Sequence, residues 1–179
     1  MLIFGAGYPR TGTTTLNGVL LKLGYKTRNF TYDLITDPLN PPRWEGLFDR
    51  WEAVIGYPAA HWAIEIWEAY RCKVILTLRN ADDWFDSMVW LAENSEPGWE
   101  VTNEMFFGSG QHDRSAWTQW FEKRNQQIID TIPERDLLVF DICGGDGWDK
   151  LCSFLYEPFP STNERTSNKW ITREKDIAE

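Results

Sequence analysis

Hydrophobic positions along the chain alternate between short continuous runs and runs with helical spacing. "LIFGAG" (residues 2–7) and "KVILTLR" (residues 73–79) are continuous, and the second is β-branched, as central parallel strands are. "TTTLNGVLLKLGY" (residues 13–25) instead places apolar residues three and four positions apart, which predicts a helix that ends at Gly24. The chain therefore begins with a strand, a glycine-rich turn and a helix.

The same alternation continues beyond this first unit. Further strands are predicted at residues 53–56 and 136–142, and further helices at residues 44–53, from about Pro58 to 70, 80–93 with Asn80 as N-cap, 113–130 and 148–155. Residues 31–43 and 93–112 have no period and are predicted to be loops, the second as a lid or substrate loop. This order predicts one α/β domain over residues 1–179, a three-layer sandwich with a mostly parallel sheet.

Composition limits the classes of function. The net charge of -9 and the pI near 4.8 argue against nucleic-acid binding, because a phosphate-backbone interface needs a basic face. Cys72, Cys143 and Cys152 form no C-x-x-C pair, and His61 and His112 are the only histidines, so neither a disulfide framework nor a zinc site is predicted. No stretch reaches the ~18 apolar residues of a spanning helix. We expect a cytoplasmic protein without a nucleic-acid or membrane partner.

The turn after the first strand has the spacing of a phosphate-binding loop. Gly7 and Gly12 follow the pattern G-x-x-x-x-G, and the start of the next helix offers its backbone N–H groups to an anion. Four threonines add hydroxyl donors there: Thr11, Thr13, Thr14 and Thr15. A nucleoside triphosphatase has Lys at the position of Thr13, and beside Thr14 only Asp141 is a candidate for its second magnesium ligand. The loop therefore suits an anion that needs less neutralisation than a triphosphate.

Two segments resemble sulfotransferases that use 3′-phosphoadenosine-5′-phosphosulfate (PAPS). "GYPRTGTTTL" (residues 7–16) is similar to their 5′-phosphosulfate loop, in a shorter branch with a PRTGTT sequence. "KVILTLRNADDWFDS" (residues 73–87) is similar to their 3′-phosphate segment, a strand ending in Arg79 and a helix with Ser87 eight residues later. The likeness covers about residues 2 to 155. It implies a fold like that of P-loop nucleoside-triphosphate hydrolases, PAPS as cofactor, and these cofactor-binding residues: Arg10, Thr11, Gly12, Thr13, Thr14, Thr15, Arg79 and Ser87.

The sequence departs from this family at three places. Thr15 replaces a frequent Trp, and the family's C-terminal 3′-phosphate segment has no counterpart in "STNERTSNKW" (residues 161–170). Gly56 of "IGYP" occupies the position of the catalytic base, where the shorter branch has Asp. Arg10 takes the place of the catalytic loop lysine and would stabilise charge on the leaving oxygen. His61, with Glu65 one turn further, is the nearest side chain suited to be the base; the alternative is that no protein base acts.

The resemblance implies transfer of a sulfuryl group from PAPS to a hydroxyl or amine of a small-molecule acceptor, without a metal. Two alternatives stay open. A catalytically impaired protein that binds PAPS or its product is favoured by Gly56, whereas a P-loop kinase is disfavoured by Thr13. Eleven tryptophans are present, and some are candidates for an aromatic or hydrophobic acceptor pocket, with the apolar core as the alternative. The candidates are Trp44, Trp51, Trp99, Trp117 and Trp120.

Overall fold

The computed structural model describes residues 1–29, 31, 46–94 and 112–160. Its elements, in chain order, are β1 (Ile3–Gly5), α1 (Thr13–Lys22), β2 (Thr27–Asn29), β3 (Ala53–Ile55), a 3₁₀ turn (Ala59–Trp62), α2 (Ala63–Tyr70), β4 (Lys73–Thr77), α3 (Ala81–Asn94), α4 (Arg114–Thr131), β5 (Leu137–Phe140) and α5 (Trp148–Leu155). The five strands form one sheet in the order β2-β3-β1-β4-β5, and every neighbouring pair is parallel. The predicted α/β class is confirmed.

Apolar residues on both faces of the sheet explain why helices cover both sides. Phe4, Val54 and Val74 belong to one core, which α2 and the end of α4 cover. Ile55 and Ile75 belong to the opposite core, which α1 and α5 cover. A strand that is buried on both faces has a continuous run of hydrophobic residues. The strand predictions at β1, β3 and β4, which rest on such runs, are confirmed.

A third apolar cluster lies outside the sheet, between α3 and α4 and against the loop that follows β1. Trp84 and Phe121 stack here with ring centroids 4.2 Å apart, and Tyr8 and Tyr57 are buried beside them. Trp117 has 0% exposed surface in this cluster, so this candidate for an acceptor pocket is a core residue. Because Tyr8 belongs to the loop after β1, its packing in this cluster holds that loop in place. The loop lies next to β3 and β4, the strands on either side of β1.

Some predictions differ from the structure. Residues 46–50 form turns rather than the predicted helix, and Gly46 has a φ of 88°, which is outside the right-handed helical region. The short strand β2 was not predicted. Residues 30, 32–45, 95–111 and 161–179 lie outside the described residues. The loops predicted at residues 31–43 and 93–112, the pocket candidates Trp44 and Trp99, and the single domain over residues 1–179 therefore stay predictions. Within the described ranges, no helix is long and apolar enough to cross a membrane.

Candidate anion-binding and active site

The loop after β1 passes so close to β4 that one position requires glycine. A Cβ at Gly7 would overlap the hydroxyl oxygen of Thr77. Thr11 is fully buried, and its Oγ1 lies 2.6 Å from the carbonyl oxygen of Tyr8 and 2.6 Å from Thr77 Oγ1. The Thr11 hydroxyl therefore fastens the loop to the end of β4, and the structure does not support the predicted contact between this hydroxyl and a cofactor.

The start of α1 has the features of an anion-binding helix terminus. Gly12 has a φ of 97° and is the N-cap, no side chain caps the first turn, and no acidic residue lies in that turn. The first helical hydrogen bond runs from the Leu16 N–H to the Gly12 carbonyl over 2.9 Å. The N–H groups of Thr13, Thr14 and Thr15 precede this bond and have no acceptor within the helix. The predicted positions of these threonines at the helix start are confirmed.

Arg10, Arg79 and Ser87 come together beside this loop. The Arg10 side chain is exposed, and its Nε donates a hydrogen bond to Ser87 Oγ over 2.7 Å. Its guanidinium carbon lies 5.3 Å from the ring centroid of Trp90, a residue that sequence analysis did not single out. Arg79 Nη1 donates to the Arg10 carbonyl over 3.3 Å. The two segments that carry the family resemblance are therefore in direct contact.

The backbone at Arg10 is held in an unfavourable conformation. Arg10 has a φ of 70°, in the left-handed region that residues with a Cβ seldom occupy. The indole Nε1 of Trp84 donates to the Pro9 carbonyl over 3.1 Å, and Arg79 binds the next carbonyl. These two hydrogen bonds fix the carbonyl groups of Pro9 and Arg10. Strained backbone of this kind is concentrated at functional sites.

Among the ion pairs of the described residues, none joins Arg79 to the acidic residues that follow it. The exposed carboxylate of Asp82 pairs with Arg114 at 3.0 Å. Asn80 Oδ1 accepts hydrogen bonds from the N–H groups of Asp82 and Asp83 over 3.0 and 3.2 Å, which confirms Asn80 as the N-cap of α3. Arg79 is thus directed to the phosphate loop instead.

Gly56 lies directly beside the phosphate loop. Its N–H donates to the Gly5 carbonyl over 2.9 Å at the carboxyl end of β3. Its φ is 80°, and a Cβ built there would lie 3.5 Å from Asn29 Oδ1 and 3.9 Å from Thr13 Cβ, which is ordinary contact distance. Asn29 Oδ1 is itself buried and has no hydrogen-bond partner in the described parts of the chain. A Cβ at Gly56 would therefore meet no overlap, although the φ of 80° is one that side chains seldom adopt.

His61 is joined to the phosphate loop through Tyr8. The Tyr8 hydroxyl and His61 Nδ1 are 2.9 Å apart, and the imidazole is stacked at 6.2 Å with the ring of Trp120. Burial, aided by the charge of Arg124, lowers the pKa of His61 to about 4, so the imidazole is neutral at neutral pH. His61 belongs to the 3₁₀ turn before α2, so the predicted α-helical pairing with Glu65 does not apply. Tyr8 orients the ring in its place.

Asp141, the only candidate for a second magnesium ligand, closes a turn. Its Oδ1 accepts from the Gly144 N–H over 2.7 Å, and its own N–H donates to Asp146 Oδ2 over 2.8 Å. Across the described ranges, no group of three or more His, Cys, Asp and Glu residues is arranged to hold a metal ion.

Comparison with known families decides the family of the chain. A family model described as a sulfotransferase domain matches residues 2–169. The chain belongs to this sulfotransferase family. Among solved structures it is similar to mouse sulfotransferase SULT7A1 complexed with PAP, with 17% identity and a TM-score of 0.56. The match covers 98% of this chain and 64% of the mouse chain. No protein with a curated description matches the chain.

Membership of the sulfotransferase family accounts for the two segments that meet at Arg10. It does not account for Gly56 or for Arg124, a buried arginine on α4 that sequence analysis passed over. Trp117, Phe121 and Ile128 form an apolar stripe on α4 in which Arg124 occupies a position of the same spacing. The charge of Arg124 within this apolar stripe is the sequence signal that could have identified it as a functional residue.

Proposed function

We propose that this protein transfers a sulfuryl group from PAPS to a hydroxyl or amine of a small-molecule acceptor. The observation that carries the proposal is the convergence of Arg10, Arg79 and Ser87 beside the uncapped start of α1. This arrangement offers two sets of anion donors, one at the helix start and one formed by Arg79, just after β4, and Ser87 on α3. A nucleotide with phosphate groups at both its 5′ and 3′ positions matches two sets, whereas a nucleoside diphosphate engages one.

The chain's own groups fit the two anionic ends of this cofactor. The first-turn N–H groups of α1, at Thr13, Thr14 and Thr15, would hold the 5′ end, since a helix N-terminus favours negative charge. Arg79 and Ser87 would hold the 3′-phosphate through a guanidinium and a hydroxyl. When bound, PAPS supplies an activated sulfuryl group and leaves as 3′-phosphoadenosine-5′-phosphate (PAP).

Arg10 is proposed to stabilise the charge that develops on the leaving oxygen. Its guanidinium is permanently charged and cannot donate a proton to complete the reaction, so its contribution is electrostatic. The hydrogen bond from Nε to Ser87 fixes one edge of the guanidinium and leaves Nη1 and Nη2 to interact with the anion. The Thr11 hydroxyl and Gly12 contribute by shaping the loop.

His61 is proposed as the group that accepts the proton of the acceptor. It is neutral, which a base must be, and it lies against Tyr8 of the phosphate loop. A pKa near 4 makes it a weak base. The alternative, in which no protein base acts, is favoured by Gly56. Trp120 beside His61 would give an aromatic or hydrophobic acceptor a surface to pack on.

A second candidate function is binding of PAP or PAPS without transfer, which the missing side chain at Gly56 favours. Formation of a sulfated acceptor from PAPS distinguishes the two. The protein is incubated with PAPS and a panel of phenols, alcohols and amines, in the presence of a chelator, and sulfated product is measured by mass spectrometry. Sulfated product that is lost in Arg10→Ala and kept in Arg135→Ala, a control at an exposed position, supports transfer. Tight PAP binding with no product from any acceptor supports the second function.

A further inference from the structure

Arg124 is a buried arginine without an acidic partner in the part of the chain that the structure describes. Its side chain is 8% exposed, and no carboxylate among the described residues forms an ion pair with it. Burial lowers its pKa to about 10, which leaves it charged at neutral pH. Keeping an unpaired charge inside a protein is costly, and a hydrophobic residue of the same length would avoid that cost. A role other than packing must therefore favour arginine here.

The guanidinium instead bridges two backbone segments that lead into the site. Nη2 donates to the Ala6 carbonyl over 2.7 Å and also to the Ala60 carbonyl, while Nη1 donates to Asn125 Oδ1 over 2.9 Å. Ala6 is the first residue after β1, where the phosphate loop begins. Ala60 lies in the 3₁₀ turn and precedes His61. One side chain of α4 thus connects the origin of the phosphate loop to the turn that carries the imidazole.

The same guanidinium lies against the aromatic residue that joins these two segments. Its central carbon is 4.6 Å from the ring centroid of Tyr8, and the Tyr8 hydroxyl contacts His61 Nδ1. Burial raises the pKa of Tyr8, so its hydroxyl stays protonated, and the charge of Arg124 helps to keep His61 neutral. Arg124, Tyr8 and His61 form one chain of contacts from α4 to the edge of the site.

We propose that Arg124 is a positioning residue that fixes the position of the phosphate loop relative to the His61 imidazole. It would act through the Ala6 and Ala60 carbonyls and through the Tyr8 ring, without touching the cofactor. The inference rests on the proposed function, because it assigns the loop to PAP and PAPS. Both carbonyls accept from the single nitrogen Nη2, so lysine keeps the charge and a donor. It lacks the second nitrogen that donates to Asn125 Oδ1 and the planar group that lies over Tyr8, whereas methionine removes the charge as well.

The test compares Arg124→Met and Arg124→Lys with Lys123→Met, which removes one charge from the adjacent, exposed position of the same helix. PAP affinity is measured by calorimetry well below the melting temperature. The pKa of His61 is measured by proton NMR, in which the exposed His112, the only other histidine, serves as an internal reference. A residue that only fills space would not change the titration of His61.

Arg124→Met is expected to bind PAP about tenfold more weakly, because the phosphate loop loses its charge-assisted hydrogen bond to α4 at Ala6. It should also raise the pKa of His61, because a nearby positive charge is removed. Arg124→Lys should keep the low pKa of His61 and lose less PAP affinity. If Arg124→Met does not fold, Arg124→Lys must still bind PAP more weakly than Lys123→Met does.

PAP affinity within about twofold of the unmodified protein in both variants would overturn the proposal, as would an unchanged His61 titration in Arg124→Met. Equal losses in Arg124→Met and Lys123→Met would do the same, because they would indicate a net-charge effect. If the unmodified protein binds no PAP, the proposed function fails by itself, and the titration of His61 still decides the contact with Arg124.

Discussion

Arg10 and Ser87, 77 positions apart in the chain, are joined by a hydrogen bond of 2.7 Å from the Arg10 Nε to the Ser87 hydroxyl. This bond fastens the phosphate loop to α3, so that the two segments proposed to bind anions are in contact. It also settles which edge of the Arg10 guanidinium faces the protein. The proposed function depends on this hydrogen bond, and the first two predictions replace Ser87 and Arg10 in turn.

Replacing Ser87 with Ala should weaken PAP binding by about 1.5–3 kcal/mol, the range for a hydrogen bond to a charged group, and should affect ADP less. The hydroxyl both anchors Arg10 and would contact the 3′-phosphate, which ADP lacks. Calorimetric titration with PAP and ADP measures both changes. Ser153→Ala, at an exposed position of α5, is the control. An equal loss for PAP and ADP would remove Ser87 from the 3′-phosphate site.

Replacing Arg10 with Ala should lower turnover ~10²–10³-fold, the effect of removing one donor that stabilises developing charge, while PAP affinity falls much less. The contact is expected to strengthen as charge builds on the leaving oxygen, so it accelerates the chemical step rather than binding. Steady-state rates with saturating PAPS and a binding titration separate the two effects. Turnover that falls only in proportion to affinity would contradict this role.

Replacing Gly56 with Asp should raise turnover, by as much as ~10²–10⁴-fold for a well-placed base. The φ of 80° at this position is one that Asp tolerates better than most residues, and a Cβ meets its nearest neighbours at 3.5 Å or more. Gly56→Asn, which has the same shape without the basic group, is the matched control. Equal rates in the Asp and Asn variants would show that a base at this position is not what the reaction lacks.

The low pKa of His61 predicts a pH dependence of stability. The ordinary value of 6.5 is lowered to about 4 in the folded protein, so the unfolded chain binds a proton in this window and the folded protein does not. Stability should therefore fall as pH drops from about 6.5 to 4, by up to roughly 3 kcal/mol. His61→Gln should lose less over the same window. Urea unfolding at pH 7 and pH 5 gives the comparison, and identical losses would contradict the buried, neutral imidazole.

The strands that are buried on both faces could be predicted because their hydrophobicity is continuous, as in residues 73–77. The strand β2 could not, because Thr27, Arg28 and Asn29 are polar and half-buried at the edge of the sheet. Its pairing with β3 is a tertiary contact that leaves no pattern in three residues. Local pattern therefore predicts the centre of this sheet better than its edge.

Several residues of the candidate site, among them Arg10, Arg79 and Ser87, could be singled out from the sequence. Trp90 and Arg124 were missed, and the orientation of the side chains could not be predicted. The sequence placed Arg79 at the end of a predicted strand, and in the structure it lies two residues after β4 ends at Thr77. Ser87 lies on α3, as predicted. That the Thr11 hydroxyl turns inward to Thr77, and that Tyr8 rather than Glu65 orients His61, depends on side-chain directions set by packing between distant segments. Such directions are not encoded in local periodicity.

The central claim is that the site is built for a nucleotide with a 3′-phosphate. The most direct measurement is calorimetric titration of the unmodified protein with PAP and with ADP, repeated with Arg79→Ala. The account predicts that PAP binds more tightly than ADP, and that Arg79→Ala removes this preference through the loss of a contact of about 1.5–3 kcal/mol. Equal affinity of the unmodified protein for PAP and ADP would contradict it.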